Sequence, residues 1–158
     1  MTKIAIVYHS GYGHTAKVAE HVSAGAASVA GVTVTLIKAD DLQDPHAGPW
    51  DQLAAADAII FGAPTYMGSV SAVMQKFLEA SSKAWFTHAW KDKIAAGFTN
   101  SGSLAGDKHE SLKRFATIAA QHGMLWVGLP DKSQFTQSSS DFKTATNRAG
   151  YYLGLATM

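Results

Sequence analysis

Lys3-Ile4-Ala5-Ile6-Val7-Tyr8-His9-Ser10-Gly11-Tyr12-Gly13-His14-Thr15-Ala16 passes from an apolar, β-branched run through Ser and Gly into an amphipathic pattern. Ile4 to Tyr8 has the short, nearly unbroken apolar character of a strand covered on both faces, as in a parallel sheet. Downstream, Ala16, Val18, Ala19, Val22, Ala26 and Val29 recur at three- and four-residue spacing as far as Gly31, a stop signal. Ser10 to Thr15 therefore stand at a helix start, where unpaired N–H groups and the positive dipole end face whatever lies above the sheet edge. A phosphate is the natural guest. No Lys or Arg falls between His9 and Thr15, so backbone N–H groups and the hydroxyls of Ser10 and Thr15 must hold it. Hydrogen bonds to a charged group contribute roughly 1.5–3 kcal/mol each, and several of them hold a dianion without a buried ammonium. The bland alternative is a Gly/Ser turn that only joins a strand to a helix.

At 158 residues and 47% hydrophobic content, the chain reads as one domain, residues 1–158, with helices on both sides of a sheet. Its net charge of +1 is spread along the chain, which leaves no footprint for nucleic acid or an anionic membrane surface. The apolar runs are too short for a membrane span, and the N-terminus lacks a signal-peptide layout. Cys is absent, which removes disulfides and thiolate chemistry and, with no export signal, leads us to expect a cytoplasmic protein.

Val32 to Ile37 reads as a second strand, Trp50 to Ala56 as a short helix and Ala58 to Gly62 as a third, central strand. A polar loop follows at Ala63-Pro64-Thr65-Tyr66-Met67-Gly68, then a one-face stripe of Val70, Val73, Met74, Phe77 and Leu78 that belongs to the core. Ile94 to Thr99 is the fourth strand and ends in Asn100-Ser101-Gly102-Ser103. Asp107 to His122 is helical, and Met124 to Val127 is the fifth strand. This alternation implies right-handed crossovers and a parallel sheet. The expected fold is a flavodoxin-like, doubly wound five-stranded parallel sheet of order 2-1-3-4-5, helices on both faces, with ligands outside the carboxyl ends of the strands. After the fifth strand a covering helix is missing or atypical: Ser133 to Asp141 is polar, Asp141 to Met158 is Gly-interrupted, and the Leu-Ala-Thr-Met ending reads as a lost natural C-terminus.

Gly11-Tyr12-Gly13-His14-Thr15-Ala16 also fits the dinucleotide pattern G-x-G-x-x-A, with Asp40 and Asp41 near the end of the next strand. Against it, the chain is too short for an added substrate domain, and the loops at Pro64 and Thr99 would have no task. A phospho-receiver needs acidic residues after the first and third strands, where this chain has His9-Ser10 and Gly62-Ala63. One phosphate turn and two polar loops suit a mononucleotide with a flat ring, and so FMN.

Ser10-Gly11-Tyr12-Gly13-His14, Ile60-Phe61-Gly62-Ala63-Pro64-Thr65 and His122-Gly123-Met124, in this order, resemble the tryptophan-repressor-binding-protein (WrbA) group of flavodoxin-like NAD(P)H:quinone oxidoreductases and the related NADPH-dependent FMN reductases. The resemblance covers residues 3 to 127. It implies non-covalent FMN, with Ser10, Tyr12, Gly13, His14 and Thr15 at the phosphate, Pro64, Thr65, Tyr66, Met67 and Gly68 along the ribityl and ring, and Ser101, Gly102 and Ser103 near the pyrimidine edge. Gly11, Thr99 and Asn100 complete the expected cofactor loops. It also implies NAD(P)H as co-substrate, a quinone-like acceptor, and a homodimer or homotetramer whose flavin pocket a neighbour helps to build. The quinone reductases carry Arg-Phe-Gly where this chain has Tyr66-Met67-Gly68.

No catalytic residue is assigned. Tyr66, which either stacks on a ring or covers its loop, and His122, which reaches the flavin site or caps its helix as an imidazolium, are the candidates. His14 reads as a neighbour of the phosphate. His9 and His14 lack a carboxylate and no metal is expected. Trp85, Phe86 and Trp90 read as a satellite core or, given their polar surround, an interface patch; Tyr151 and Tyr152 either reach a neighbour or finish their own domain. The alternatives in function are an FMN electron carrier without small-molecule turnover and a flavin-free regulatory or interaction protein.

Overall fold

The computed structural model describes residues 1–133 and 145–158. Its elements are β1 (Thr2–Tyr8), α1 (His14–Ala27), β2 (Val32–Lys38), a 3-10 turn at Ala39–Leu42, α2 (Trp50–Ala55), β3 (Ala58–Tyr66), β4 (Ser69–Val70), α3 (Ala72–Ala80), α4 (Ser82–Phe86), β5 (Ile94–Asn100), α5 (Lys108–Gln121), β6 (Leu125–Trp126) and β7 (Leu155–Thr157). β2, β1, β3 and β5 pair in parallel in that order, the flavodoxin-like arrangement expected from the sequence.

The alternation of each strand sorts its side chains between two cores. Ala5, Val7, Ile59, Phe61 and Ala95 face α2, α3 and α5 and join Leu53, Met74, Phe77, Trp90 and Phe115 in the larger cluster. Ile6 and Phe98 face the other way, with Ala19 of α1. Between the central strands space is tight: a Cβ on Gly62 would come within 2.0 Å of the Phe98 ring, so only glycine lets that ring lie flat on β3. Trp90 corrects the expected grouping of aromatics, because it is 1% exposed in the larger core whereas Phe86 stays 76% exposed.

Two differences from the sequence reading concern the sheet edge. β3 runs on past Gly62 to Tyr66 and turns back into β4, with Thr65 opposite Val70 and Tyr66 opposite Ser69. Met67 (φ 49°) and Gly68 (φ 81°) are the two turn residues, both left-handed, as a two-residue hairpin of this twist requires. The fifth strand position is divided. β6 pairs with the start of β5 (Ile94, Ala95), and β7 returns from the C-terminal segment to pair with its end (Phe98, Thr99, Asn100). In place of a covering helix, the described part of that segment thus supplies a strand; residues 134–144, most of the polar run, lie outside the described residues.

His122 is the second correction. It follows α5 at the sheet end opposite the three polar loops, 4% exposed, its ring 4.3 Å from that of Trp90. The Ser81 hydroxyl donates to Leu78 O (2.7 Å), so Ser81 Oγ accepts the His122 Nε2–H at 2.9 Å. Nδ1 is then a buried lone pair with no partner among the described residues. Burial holds the pKa down to about 4, so the ring is neutral and is no cation for the helix dipole. The unfolded chain takes up this proton near the ordinary histidine pKa of about 6.5, and the folded chain only near 4. Stability is therefore complete above that upper value and falls as pH drops from about 6.5 toward 4, by on the order of 2–3 kcal/mol. Thermal melts across this window should show the slope in wild type and a flatter profile in His122→Gln; identical slopes would place the proton uptake elsewhere.

Candidate functional site

Parallel strands deliver the turns after β1, β3 and β5 to one edge. The first, His9–Gly13, ends at the helix N-cap Gly13 (φ 88°). Lys17 N–H makes the first helical bond to Gly13 O at 3.1 Å, and Ala16 N–H is taken by Ser10 Oγ at 3.0 Å. The N–H groups of His14 and Thr15 precede both and have no acceptor inside the helix. Ser10 thus acts as a remote cap and keeps its own O–H free to donate. His9 is fixed from outside the turn, its Nδ1 2.8 Å from the Oγ of the buried Ser71.

Tyr66 reaches across from the second loop. A Cβ on Gly11 would meet its hydroxyl at 2.6 Å, and its ring meets that of Tyr12 edge-on at 6.3 Å. In this structure Tyr66 covers the phosphate turn. Burial, and then the neighbouring Tyr12 phenol, raise its pKa, which keeps the hydroxyl a donor at neutral pH.

Beneath the loops runs a chain of buried hydroxyls. Thr99 O–H donates to Ala63 O (2.8 Å), so its Oγ1 accepts from Thr65 O–H (2.8 Å), and Thr65 Oγ1 in turn accepts from Ser111 O–H (2.7 Å). This directed series ties the end of β3 to β5 and α5. Thr99 is 0% exposed and Thr65 8%, so both side chains point into the fold. Contact of either residue with a cofactor would therefore come through its backbone.

A cleft of ≈ 180 Å³ is lined by all three loops: Tyr12, His14 and Thr15; Pro64, Thr65 and Tyr66; Asn100, Ser101 and Gly102. A larger one of ≈ 430 Å³ shares His14, Asn100, Ser101 and Gly102 with it and continues along Lys17, Val18 and His21 to Thr157 and Met158. Of the other expected residues, Met67 is fully exposed at the hairpin tip, beside Gly68, and Ser103 lies further along the third loop. His122 belongs to the opposite end. Sequence reasoning missed what holds the third loop. Ser101 N–H donates to Thr157 O (3.3 Å), Tyr151 hydroxyl to Ala105 O (2.9 Å), and Lys108 Nζ to Ser103 O and Leu104 O. A lysine in the first turn of a helix, against the dipole, was the one available signal.

The family model for NADPH-dependent FMN reductases matches residues 2–129. The chain belongs to this family. It is 45% identical over 140 residues to flavodoxin FldP of Pseudomonas aeruginosa (strain UCBPP-PA14), covering 89% of this chain and 73% of the relative. Among solved structures it resembles the flavodoxin, WrbA-like protein from Agrobacterium tumefaciens, with 48% identity, a TM-score of 0.69, and 80% and 77% of the two chains covered. An apo NADH:FMN oxidoreductase (EMOB), at 20% identity, TM-score 0.67 and coverage of 82% and 73%, shares the fold. The family is one of FMN-binding, flavodoxin-like oxidoreductases. No helix among the described residues is long and apolar enough to cross a membrane.

Replacing Thr65 by Val interrupts the hydroxyl series in its middle and leaves Ser111 O–H without its acceptor. Urea unfolding should show a loss of about 1–3 kcal/mol, with Thr65→Ser close to wild type. Equal stability of Thr65→Val and wild type would show that the series is dispensable.

Proposed function

We propose that this protein is an FMN-dependent NAD(P)H oxidoreductase that reduces a quinone-like acceptor. The observation that carries the reading is the convergence of three loops on one cleft beside a helix start whose N–H groups lack intrahelical acceptors, in a chain of the FMN reductase family. The residues present fit the group. In this reading the N–H groups of Gly11, Tyr12, Gly13, His14 and Thr15 and the Ser10 O–H hold the phosphate, with no lysine or arginine in the turn. Pro64, Thr65, Tyr66, Met67 and Gly68 lie along the ribityl chain and ring, the first two through their backbone. Asn100, Ser101, Gly102 and Ser103 face the pyrimidine edge. FMN when bound would supply the redox chemistry: a hydride with its electron pair would pass from NAD(P)H, which leaves as NAD(P)+, and on to the quinone, which takes up one proton besides and leaves as the quinol.

The chain's own part is to bind, orient and shield. Tyr66 has to move from the turn it covers for phosphate to enter, and its phenol then serves as a lid over the bound group. One open face for both substrates implies a ping-pong pattern. The exposed Trp85–Phe86 pair, rings 4.9 Å apart, supports self-association as a homodimer or homotetramer, and the absence of Cys supports a cytoplasmic setting.

A second reading, an electron carrier without small-molecule turnover, is favoured by the flavodoxin names of the relatives at 45% and 48% identity. A visible spectrum separates them. The protein is loaded with FMN, freed of excess and mixed anaerobically with NADPH or NADH. The reductase reading expects a flavin band that bleaches within seconds and returns on adding a quinone. A band that forms but never bleaches establishes the carrier, and no band at all excludes both.

A further inference from the structure

Lys108 opens α5 and is 1% exposed, yet among the described residues its ammonium meets no carboxylate. Among the described residues the ion pairs are Lys17–Glu20 and Lys113–Glu110, both on the surface. Its partners are two carbonyls, Ser103 O and, at 3.2 Å, Leu104 O, both in the loop after β5. A cation at this place is doubly disfavoured, by burial and by the positive end of the helix dipole. A fold that keeps it there holds a positive charge against the Ser103–Leu104 end of a loop whose earlier residues, Ser101 and Gly102, line both clefts, while Lys108 itself lines neither.

We propose that Lys108 is a positioning residue of the cofactor site, and that the charge it buries makes this site prefer reduced, negatively charged FMN over the oxidised form. The inference rests on the reading of Ser101–Ser103 as the loop beside the pyrimidine edge of the flavin. Reduction places negative charge on that edge, whereas the oxidised ring is neutral. A buried charge acts on it with little screening by salt. Burial alone lowers the Lys108 pKa, and an anion brought close works in the opposite direction, so lysine and reduced cofactor stabilise each other. The same two hydrogen bonds engage the Ser103 and Leu104 carbonyls with the ammonium. Tyr151 and Thr157 hold the remaining loop backbone at Ala105 and Ser101.

The test measures the affinity for oxidised and for chemically reduced FMN separately, by anaerobic titration, in wild type, Lys108→Met and Lys108→Arg. Lys108→Met should lose at least tenfold of the preference for the reduced form, which lowers the midpoint potential by about 30 mV for a two-electron couple. Lys108→Arg should retain most of it. A loss equal in both redox states, or no change, overturns the proposal, since a purely structural lysine would weaken both alike. Should neither variant fold, wild type still decides. It should bind chemically reduced FMN at least tenfold more tightly than oxidised FMN, and equal or weaker binding of the reduced form overturns the proposal. Wild type that binds no FMN would overturn the site reading and this inference together. Wild type that binds FMN but is not bleached by nicotinamide removes only the reductase reading, because these measurements use no nicotinamide.

Discussion

Parallel pairing of β1, β3 and β5 is the constraint on which the rest of the molecule depends. Strands that run the same way send their outgoing turns to one edge and must bury both faces, so one sequence pattern fixes both the core and the place of the site. Ile6 opposite Ile60, and Gly62 opposite Phe98, hold that pairing in register. The pair Gly62 and Phe98 shows how specific the fit is, since a single methyl on β3 would occupy the space of the ring. With the strands locked, the unmet N–H groups at the start of α1 are delivered to the same edge as the loops after β3 and β5. No further device is needed to bring three separate segments to one cleft.

The polar loops rest on a floor that is itself polar. Ser111, Thr65, Thr99 and Ala63 O form a one-way donor series, in which each buried hydroxyl finds its acceptor only if the next one points onward. Such a series loses more when a member is removed from its middle than one bond is worth, because a buried partner is stranded. It permits β3 to run on beyond the core strands into the Met67–Gly68 hairpin, and so to project Tyr66 over the phosphate turn. The position of the most exposed site residues is thus decided by some of the least exposed ones.

Much of this was legible from residues close in sequence. The strand, turn and helix at Ile4–Ala16 follow from periodicity and from Gly13 at a helix start, and the loop that begins at Ser101 follows from the end of β5, whereas Pro64 to Tyr66, read as loop, continue β3. What escaped reading depends on distant partners. Thr99 sits in an apparently polar loop, yet parity along β5 turns its side chain inward. Trp90 lies in a polar stretch, yet Trp50 and Phe77 gather it into the core. His122 shares a motif with a known family, but its place after α5 puts it at the amino end of the strands, where Ser81 and Trp90 enclose it. β7 was invisible because three residues with glycines around them carry no period, and only the unpaired end of β5 gives them a strand to join.

A net charge of +1 from 13 basic and 12 acidic residues conceals a local asymmetry. Composition reports a sum, while the chemistry at a cleft answers to the few charges that solvent does not screen. At the carboxyl edge the positive contributions are the helix starts of α1 and α5 and Lys108, whereas Asp107 and Glu110 at the start of α5 are exposed, and the Lys17–Glu20 and Lys113–Glu110 pairs are solvated and contribute little. A site with this polarity lowers the free energy of a ring that has just gained electrons. A protein whose task was to hand electrons onward at low potential would gain from the reverse arrangement, with carboxylates near the ring. Burying a lysine without a counter-ion costs stability, and that cost is hard to account for by loop anchoring alone, since a neutral donor would hold Ser103 and Leu104 with a smaller desolvation penalty. The positive charge itself is therefore the feature that calls for a function, and an anion at the adjoining loop is the partner that supplies one.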